Sequence, residues 1–128
     1  MGAEFIVAPN TDQEVISLTK ENGMLSIPGA FTPSEIVTAH KLGADIVKIF
    51  PIEPHNISYL KNILSPVSHI PFITTGGVNE DTADELMKTG AAALAAGASV
   101  ISVSALNAND FSLIEEKTRK LISIIKNA

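Results

Sequence analysis

Residues 43–53, GADIVKIFPIE, give the clearest indication of the fold class. It is an almost continuous apolar run with one lysine, Lys48, near its middle and a proline, Pro51, near its end. Strands of a parallel sheet that is covered on both faces have this continuous pattern, whereas half-exposed strands alternate. The stretch therefore predicts a buried parallel strand, and it raises the question of why an ammonium group stands inside it.

Segments of similar character recur at intervals of roughly 20 to 25 residues, which is typical of a repeated structural unit. Each is a short apolar run bounded by glycine or proline: GAEFIVA (2–8), MLSIPG (24–29), GADIVKI (43–49), IPFITTGG (70–77) and GAAALAA (90–96). Helical patterning is found between and after them, over roughly 11–22, 33–42, 56–65, 79–89 and 110–126. The sequence thus predicts five strand–helix units.

Signals at the predicted helix ends agree with these boundaries. TPSE at 32–35 is a capping box, and Asn79 is followed by two acidic residues, as at a helix N-terminus. Three glycines follow predicted helices in the C′ position: Gly23, Gly43 and Gly90. The last helix is predicted to turn one apolar face to the core, formed by Phe111, Ile114, Leu121 and Ile125.

Alternating strands and helices predict an α/β fold with a parallel sheet. One closure is a (β/α)8 TIM barrel, which usually takes about 250 residues; a single domain over 1–128 would then supply five of its eight strands. The alternative is a five-stranded doubly wound sheet. In both closures the functional residues are expected at the carboxyl ends of the strands.

Composition excludes several classes of function. The net charge of −5 and the pI near 5.0 argue against nucleic acid or an anionic membrane as a partner. The absence of cysteine excludes disulfides and thiolate metal sites, and it fits a cytoplasmic protein. His40, His55 and His69 lack the spacing of metal ligands, so no metal site is predicted.

Lys48 is the first candidate for chemistry. Side chains alternate along a strand, so Lys48 shares one side with Ile46 and Phe50, while Val47 and Ile49 share the other. A partly desolvated amine is a usable nucleophile toward a carbonyl carbon, which gives a Schiff base. The alternative is a lysine whose stem packs while its ammonium group reaches solvent.

Two glycine-rich turns at neighbouring strand ends are the second candidate. Gly76 and Gly77 follow Thr75, and Gly97 and Ser99 occupy the corresponding place in the next unit. Glycines let backbone N–H groups approach an anion closely, and barrels often bind phosphate at their last two strand ends. Phosphate binding and ordinary glycine turns are both compatible with this pattern.

The segments FIVAP, IPGAFTPSE, VKIFPIE, ITTGGV and GAS, in this order, resemble the class I aldolases of 2-keto-3-deoxy-6-phosphogluconate (KDPG) and 2-keto-4-hydroxyglutarate (KHG). The resemblance implies that Lys48 forms a Schiff base with pyruvate, that Phe50 lines the pyruvate pocket and that Thr75 holds the pyruvyl group. It also implies that four residues bind phosphate: Gly76, Gly77, Gly97 and Ser99.

The resemblance covers the C-terminal three-fifths of the family's barrel, equivalent to strands 4–8. It implies a cytoplasmic lyase of carbohydrate metabolism, of the Entner–Doudoroff type. The enzyme would cleave KDPG or 4-hydroxy-2-oxoglutarate to pyruvate and an aldehyde. It implies a small-molecule 2-keto acid substrate, no cofactor, and a homo-oligomer that is a trimer in the family.

The chain also departs from the family pattern. The usual Pro-Thr-Gly-Gly is Thr74-Thr75-Gly76-Gly77, and the usual Gly-Gly-Ser is Gly97-Ala98-Ser99. The family's proton-shuttling glutamate lies on its first strand, outside the resemblance, and neither Glu4 nor Glu53 replaces it. Two alternatives therefore stay open: a truncated non-catalytic remnant, and a phosphate-binding barrel fragment in which Lys48 serves only as a charge. Unpaired edge strands would also favour self-association.

Overall fold

Parallel strands form the centre of the computed structural model, which describes residues 2–53 and 57–128. The strands are β1 (Phe5–Val7), β2 (Leu25–Ile27), β3 (Gly29–Ala30), β4 (Val47–Ile49), β5 (Phe72–Thr75) and β6 (Ala93–Ala95). β1 pairs with β2, and β3, β4, β5 and β6 pair in that order, every pair being parallel. Because only Pro28 separates β2 from β3, these strands fall in the five predicted segments. The α/β fold with parallel strands is confirmed.

The strand order follows the order of the chain. A doubly wound sheet reverses its order at a switch point, with the chain continuing outward from the other side of the first strands. Across the described residues no such reversal occurs. The doubly wound alternative is therefore wrong, and consecutive units lie side by side as in one wall of a barrel.

The helices between the strands largely match the predicted segments. They are α1 (Gln13–Glu21), α2 (Pro33–Lys41), α3 (Ile57–Leu64), α4 (Ala83–Met87), α5 (Val103–Asn107) and α6 (Phe111–Lys126). The capping box at the start of α2 is confirmed, since Thr32 Oγ1 accepts from Glu35 N–H and the Glu35 carboxylate accepts from Thr32 N–H. The three C′ glycines have positive φ as predicted.

Three details of the helices differ from the prediction. α4 starts at Ala83 because Asn79 closes a turn, its Oδ1 accepting from the N–H groups of Asp81 and Thr82. α5 was not predicted, since its five residues are too few to show a periodic pattern. Phe111 is 63% exposed instead of facing the core, whereas Leu121 of the same helix is buried.

The two faces of the sheet differ in burial. On the helix-covered face, formed by Val47, Ile49, Phe72 and Thr74, no residue is more than 5% exposed, and the three apolar residues join the core beneath α2, α3 and α4. On the open face, formed by Lys48, Ile73 and Thr75, every residue is half-buried. Strand alternation therefore separates a packed side from a side that is open for a ligand.

Candidate active site

Lys48 lies on the open face, in the middle of β4. It is in register with Gly29 of β3 and Ile73 of β5, and its side chain is half-buried. Its Nζ lies 4.3 Å from the centre of the Phe50 ring, which is a cation–π contact. Among the described residues no carboxylate lies within 4.0 Å of this ammonium group. The amine is thus sheltered by an aromatic ring without a salt bridge to hold it.

The residue beside Lys48 has no side chain, and the structure shows why. A Cβ placed on Gly29 would lie 2.2 Å from the carbonyl oxygen of Pro9, well inside contact distance. The loop after β1 therefore crosses directly over Gly29, and Gly29 N–H donates to the carbonyl of Asn10. Because residue 29 is a glycine, the loop after β1 can lie close to the strand position beside Lys48.

The other residues predicted for the site come together in one cavity. This glycine-rich cavity has a volume of about 390 Å³ and lies at the carboxyl ends of β4, β5 and β6. It is lined by Phe50, Thr75, Gly76, Gly77, Gly97 and Ser99, together with Val78, Asn79, Ala95 and Ala98. Lys48 adjoins the cavity through the Phe50 ring. Six of the seven predicted residues thus line one cavity, and the seventh, Lys48, contacts the Phe50 ring at its border without lining it.

Thr75 provides an unpaired hydroxyl at this cavity. Its Oγ1 is buried and has no hydrogen-bond partner among residues 2–53 and 57–128. A buried hydroxyl without a partner costs about 1 to 3 kcal/mol, and a ligand that supplied the partner would recover that free energy. Thr74 Oγ1 is likewise buried and unpaired within the described chain, but Thr74 lies on the helix-covered face, whereas Thr75 lines this cavity.

The glycines of the cavity have different structural roles. Gly76 and Gly77 have positive φ, and a Cβ on either would lie less than 3.0 Å from the carbonyl oxygen of Ile52. These two are therefore required by the turn itself. A Cβ on Gly97 would meet no atom of the described residues within 4 Å, so its missing side chain leaves open space in the cavity. Of these three glycines, Gly97 is therefore the one that the packing of the described residues does not require.

Ser99 holds two loops together. Its hydroxyl donates to the carbonyl oxygen of Val78 at 2.6 Å and so joins the loop after β6 to the loop after β5. In this arrangement its proton is engaged within the protein. None of the described residues that line the glycine-rich cavity is charged, so an anion bound there would depend on N–H groups, polar side chains and the nearby ammonium of Lys48.

No metal centre is found in the described part of the chain: no three histidine, aspartate or glutamate side chains lie close enough to hold a metal ion. The rings of His40 and His69 are 6.0 Å apart at the surface, while His55 lies outside the described residues. Within the same residues no helix is both long enough and apolar enough to cross a membrane.

The chain matches a known protein family over most of its length. A family model described as "Aldolase: KDPG and KHG aldolase" matches residues 1–117. The chain belongs to the KDPG and KHG aldolase family. The resemblance inferred from the sequence motifs is therefore confirmed over nearly the whole chain.

Relatives within the KDPG and KHG aldolase family give the extent of the match. The chain is 26% identical to a 2-dehydro-3-deoxy-phosphogluconate aldolase of Treponema pallidum, over 97% of this chain and 60% of the relative. It is 34% identical to a 2-dehydro-3-deoxy-6-phosphogalactonate aldolase of Escherichia coli, over 76% of this chain and 48% of the relative. The chain spans at most about three-fifths of the length of these relatives.

Solved structures agree with the family assignment. One described as "Native KDPGal structure" superposes with a TM-score of 0.88 at 25% identity, covering 98% of this chain and 60% of that one. A thiamine phosphate pyrophosphorylase from Pyrococcus furiosus superposes with a TM-score of 0.77 at 23% identity, which shows a shared fold. The same arrangement of strands and helices therefore also occurs in an enzyme described as a pyrophosphorylase.

Proposed function

We propose that this chain is the Schiff-base part of a class I aldolase that acts on 2-keto acids. In this proposal residues 1–128 are one domain, its strands are five of the eight strands of a (β/α)8 barrel, and its open face is the barrel interior. The consecutive parallel order of the strands and the half-buried state of the open face support this reading.

The observation that carries the proposal is the position of the Lys48 amine. It lies over the Phe50 ring at the border of a cavity that also contains the unpaired Thr75 hydroxyl and the open space at Gly97. An amine without a carboxylate partner among the described residues, beside a cavity of substrate size, is well placed to attack a bound carbonyl carbon.

The chemistry follows from imine formation. The Lys48 amine adds to the C2 carbonyl of the substrate and water leaves, which forms an iminium ion. The C3–C4 bond then breaks, its electron pair moves into an enamine, and the C4 hydroxyl loses its proton to become the aldehyde carbonyl. Protonation of the enamine at C3 and hydrolysis of the resulting iminium release pyruvate and regenerate the amine.

We further propose roles for the neighbouring groups. Phe50 packs against the pyruvyl carbons, and the Thr75 hydroxyl bonds to the pyruvyl carboxylate. The glycine-rich cavity, with Gly76, Gly77, Gly97 and Ser99, holds the phosphate or the other anionic end of the substrate. Because the family resemblance places the proton-shuttling glutamate outside this chain, we expect imine formation by the 128 residues with slow or absent turnover.

The assembly and location also belong to the proposal. A homo-oligomer, a trimer by family resemblance, in the cytoplasm would act on a small-molecule 2-keto acid. The exposed apolar side chains on β1 and β2, Phe5, Val7 and Leu25, support association, because each is about half exposed at the outermost strand pair.

Reductive trapping tests the proposal directly. The folded protein is incubated with pyruvate and sodium borohydride, and peptide mass spectrometry locates the reduced pyruvyl group. We expect one adduct, on Lys48, because reduction fixes the imine as a secondary amine.

Two variants make the result decisive. Lys48→Arg keeps the positive charge but forms no imine, and Lys41→Met removes an exposed lysine of α2 as a matched control. We expect trapping to vanish in the first variant and to persist in the second. An adduct on another residue would contradict the Schiff base at Lys48. Cleavage activity that survives Lys48→Arg would show that Lys48 acts only through its charge.

A further inference from the structure

A second cavity lies on the other side of Phe50, and the proposed function assigns nothing to it. Its volume is about 220 Å³, and it lies at the carboxyl ends of β1, β3 and β4. Phe50 lines both this cavity and the glycine-rich one, so the two adjoin at the ring that covers Lys48. We call it the Asn10 cavity after the side chain that characterises it.

The Asn10 cavity differs from its neighbour in charge. It is lined in part by Asn10, Thr11 and Glu35, whereas the glycine-rich cavity is lined by no charged residue in the part of the chain that the structure describes. Hydrogen bonds from the backbone N–H groups of Phe31 and Thr32 hold the pKa of the Glu35 carboxyl below its usual value. Glu35 is therefore an anion at neutral pH, and the cavity disfavours a phosphate or a carboxylate.

The polar groups that remain available in the Asn10 cavity suit a hydroxyl group. The three hydrogen bonds that Glu35 accepts all fall on Oε2, which leaves Oε1 as an acceptor. Thr11 Oγ1 donates to the carbonyl of Gly29, so its lone pairs can accept. Within the described residues the Asn10 side chain makes no hydrogen bond, and a carboxamide both donates and accepts.

The wall of the Asn10 cavity is fixed by a contact distant in sequence. Tyr59 of α3 stacks on the Phe31 ring at 5.1 Å between centroids, and its hydroxyl donates to the Phe31 carbonyl at 3.1 Å. Phe31 in turn lines the cavity. One contact therefore holds the Phe31 ring and the other holds its backbone, so Tyr59 fixes this part of the cavity wall.

We infer that the Asn10 cavity binds a hydroxyl group on the aldehyde-forming half of the substrate, and that the Asn10 carboxamide contacts it. This inference rests on the proposed Schiff base at Lys48. The anionic end of the substrate occupies the glycine-rich cavity and the hydroxyl group occupies the Asn10 cavity, so the two sides of Phe50 orient the chain. Asn10 then determines how strongly the site prefers a keto acid that carries this hydroxyl group over one that lacks it.

Trapping with two keto acids tests the role of Asn10. The half-saturating concentration for borohydride trapping is measured with pyruvate, which lacks the aldehyde-forming half, and with KDPG, which carries it. In Asn10→Ala we expect this concentration to rise about fivefold to tenfold for KDPG, as for one lost hydrogen bond, and to stay unchanged for pyruvate. Asn62→Ala, which removes an exposed asparagine of α3, is the control and should change neither value.

The outcomes separate this inference from the proposed function. If the wild-type chain forms no adduct with pyruvate, the Schiff base itself is wrong. If wild type traps pyruvate but Asn10→Ala leaves both values unchanged, or raises both equally, the specificity role of Asn10 is wrong while the Schiff base stands. Misfolding is not expected to obscure the result, because Asn10 is exposed and the substitution keeps the backbone carbonyl that accepts from Gly29.

Discussion

The strands β4 and β5 each have two faces with different roles, one packed in the core and one beside the candidate active site. On the helix-covered face Val47, Ile49 and Phe72 are almost fully buried, and on the open face Lys48 and Thr75 are half-buried beside a cavity. Both faces belong to the same strands, because neighbouring side chains of one strand point in opposite directions. Stability and chemistry are thus assigned to alternate residues, and substitutions can separate them.

The strongest test exchanges the residue types of the two faces. Ile49→Lys would place an ammonium in the core, where Ile49 is 0% exposed, and we expect a loss of more than about 4 kcal/mol in the free energy of unfolding, or no folding. Lys48→Ile should change that free energy by less than about 1 kcal/mol while abolishing borohydride trapping. Urea denaturation measures the first effect and mass spectrometry the second. Equal stabilities for the two variants would contradict the assignment of the faces.

Substitutions at the glycines of the site should also separate stability from ligand binding. Gly76→Ala should cost about 1 to 3 kcal/mol, because it places a side chain at φ +93° and 2.9 Å from the Ile52 carbonyl oxygen. Gly97→Ala should leave the free energy of unfolding unchanged, since the new methyl group meets no protein atom within 4 Å. We expect Gly97→Ala to raise the half-saturating concentration of a phosphorylated keto acid in the trapping assay but not that of pyruvate. A destabilised Gly97→Ala variant would show that this glycine is structural.

The two adjacent threonines of β5 give a smaller, matched comparison. Thr74→Val removes an unpaired buried hydroxyl from the helix-covered face and should raise the free energy of unfolding by about 1 kcal/mol. Thr75→Val should stabilise the unliganded protein similarly and weaken pyruvate trapping about tenfold, the equivalent of one hydrogen bond to a carboxylate. Thermal unfolding and the concentration dependence of trapping measure the two effects. If Thr74→Val weakens trapping as much, the hydroxyls do not differ in role.

The smallest effect on stability is expected from Asp45, which lies just before β4, at the end opposite to the site. The Asp45 carboxylate accepts from Lys20 Nζ at 2.6 Å and from Ser26 N–H at 2.7 Å, and these bonds hold its pKa below the usual value. Its contribution to stability is therefore fully present above about pH 4, the usual pKa of aspartate, and is lost as the pH falls through the lowered value.

Asp45→Asn tests this contribution. We expect a loss of about 1 kcal/mol at pH 7, because the ion pair is partly exposed and screened, and a smaller difference from wild type below pH 4. Denaturation curves at several pH values measure both. Pyruvate trapping should be unchanged, since Asp45 lies at the end of the strand remote from the site; slower trapping would mean that the two ends are coupled.

Much of this structure could be predicted from local patterns. The capping box at Thr32 and Glu35, the positive φ of the C′ glycines and the apolar strand runs are each determined within a few residues. α5 and the late start of α4 could not be predicted in this way. α5 has too few residues to show a period, and the side chain of Asn79 closes a turn where a helix start was expected.

For the site, strand alternation alone placed Lys48 and Phe50 on the side opposite to Val47 and Ile49, because that alternation is a property of the extended backbone. Residues far apart in the chain are different. The approach of Pro9 to Gly29, the hold of Tyr59 on Phe31 and the meeting of two cavities at Phe50 depend on how strands pair and helices pack. Local sequence patterns were thus enough to predict which residues form strands and which side of β4 carries the Lys48 amine. The groups that surround this amine became visible only in the folded chain, because those contacts join residues from different strand–helix units.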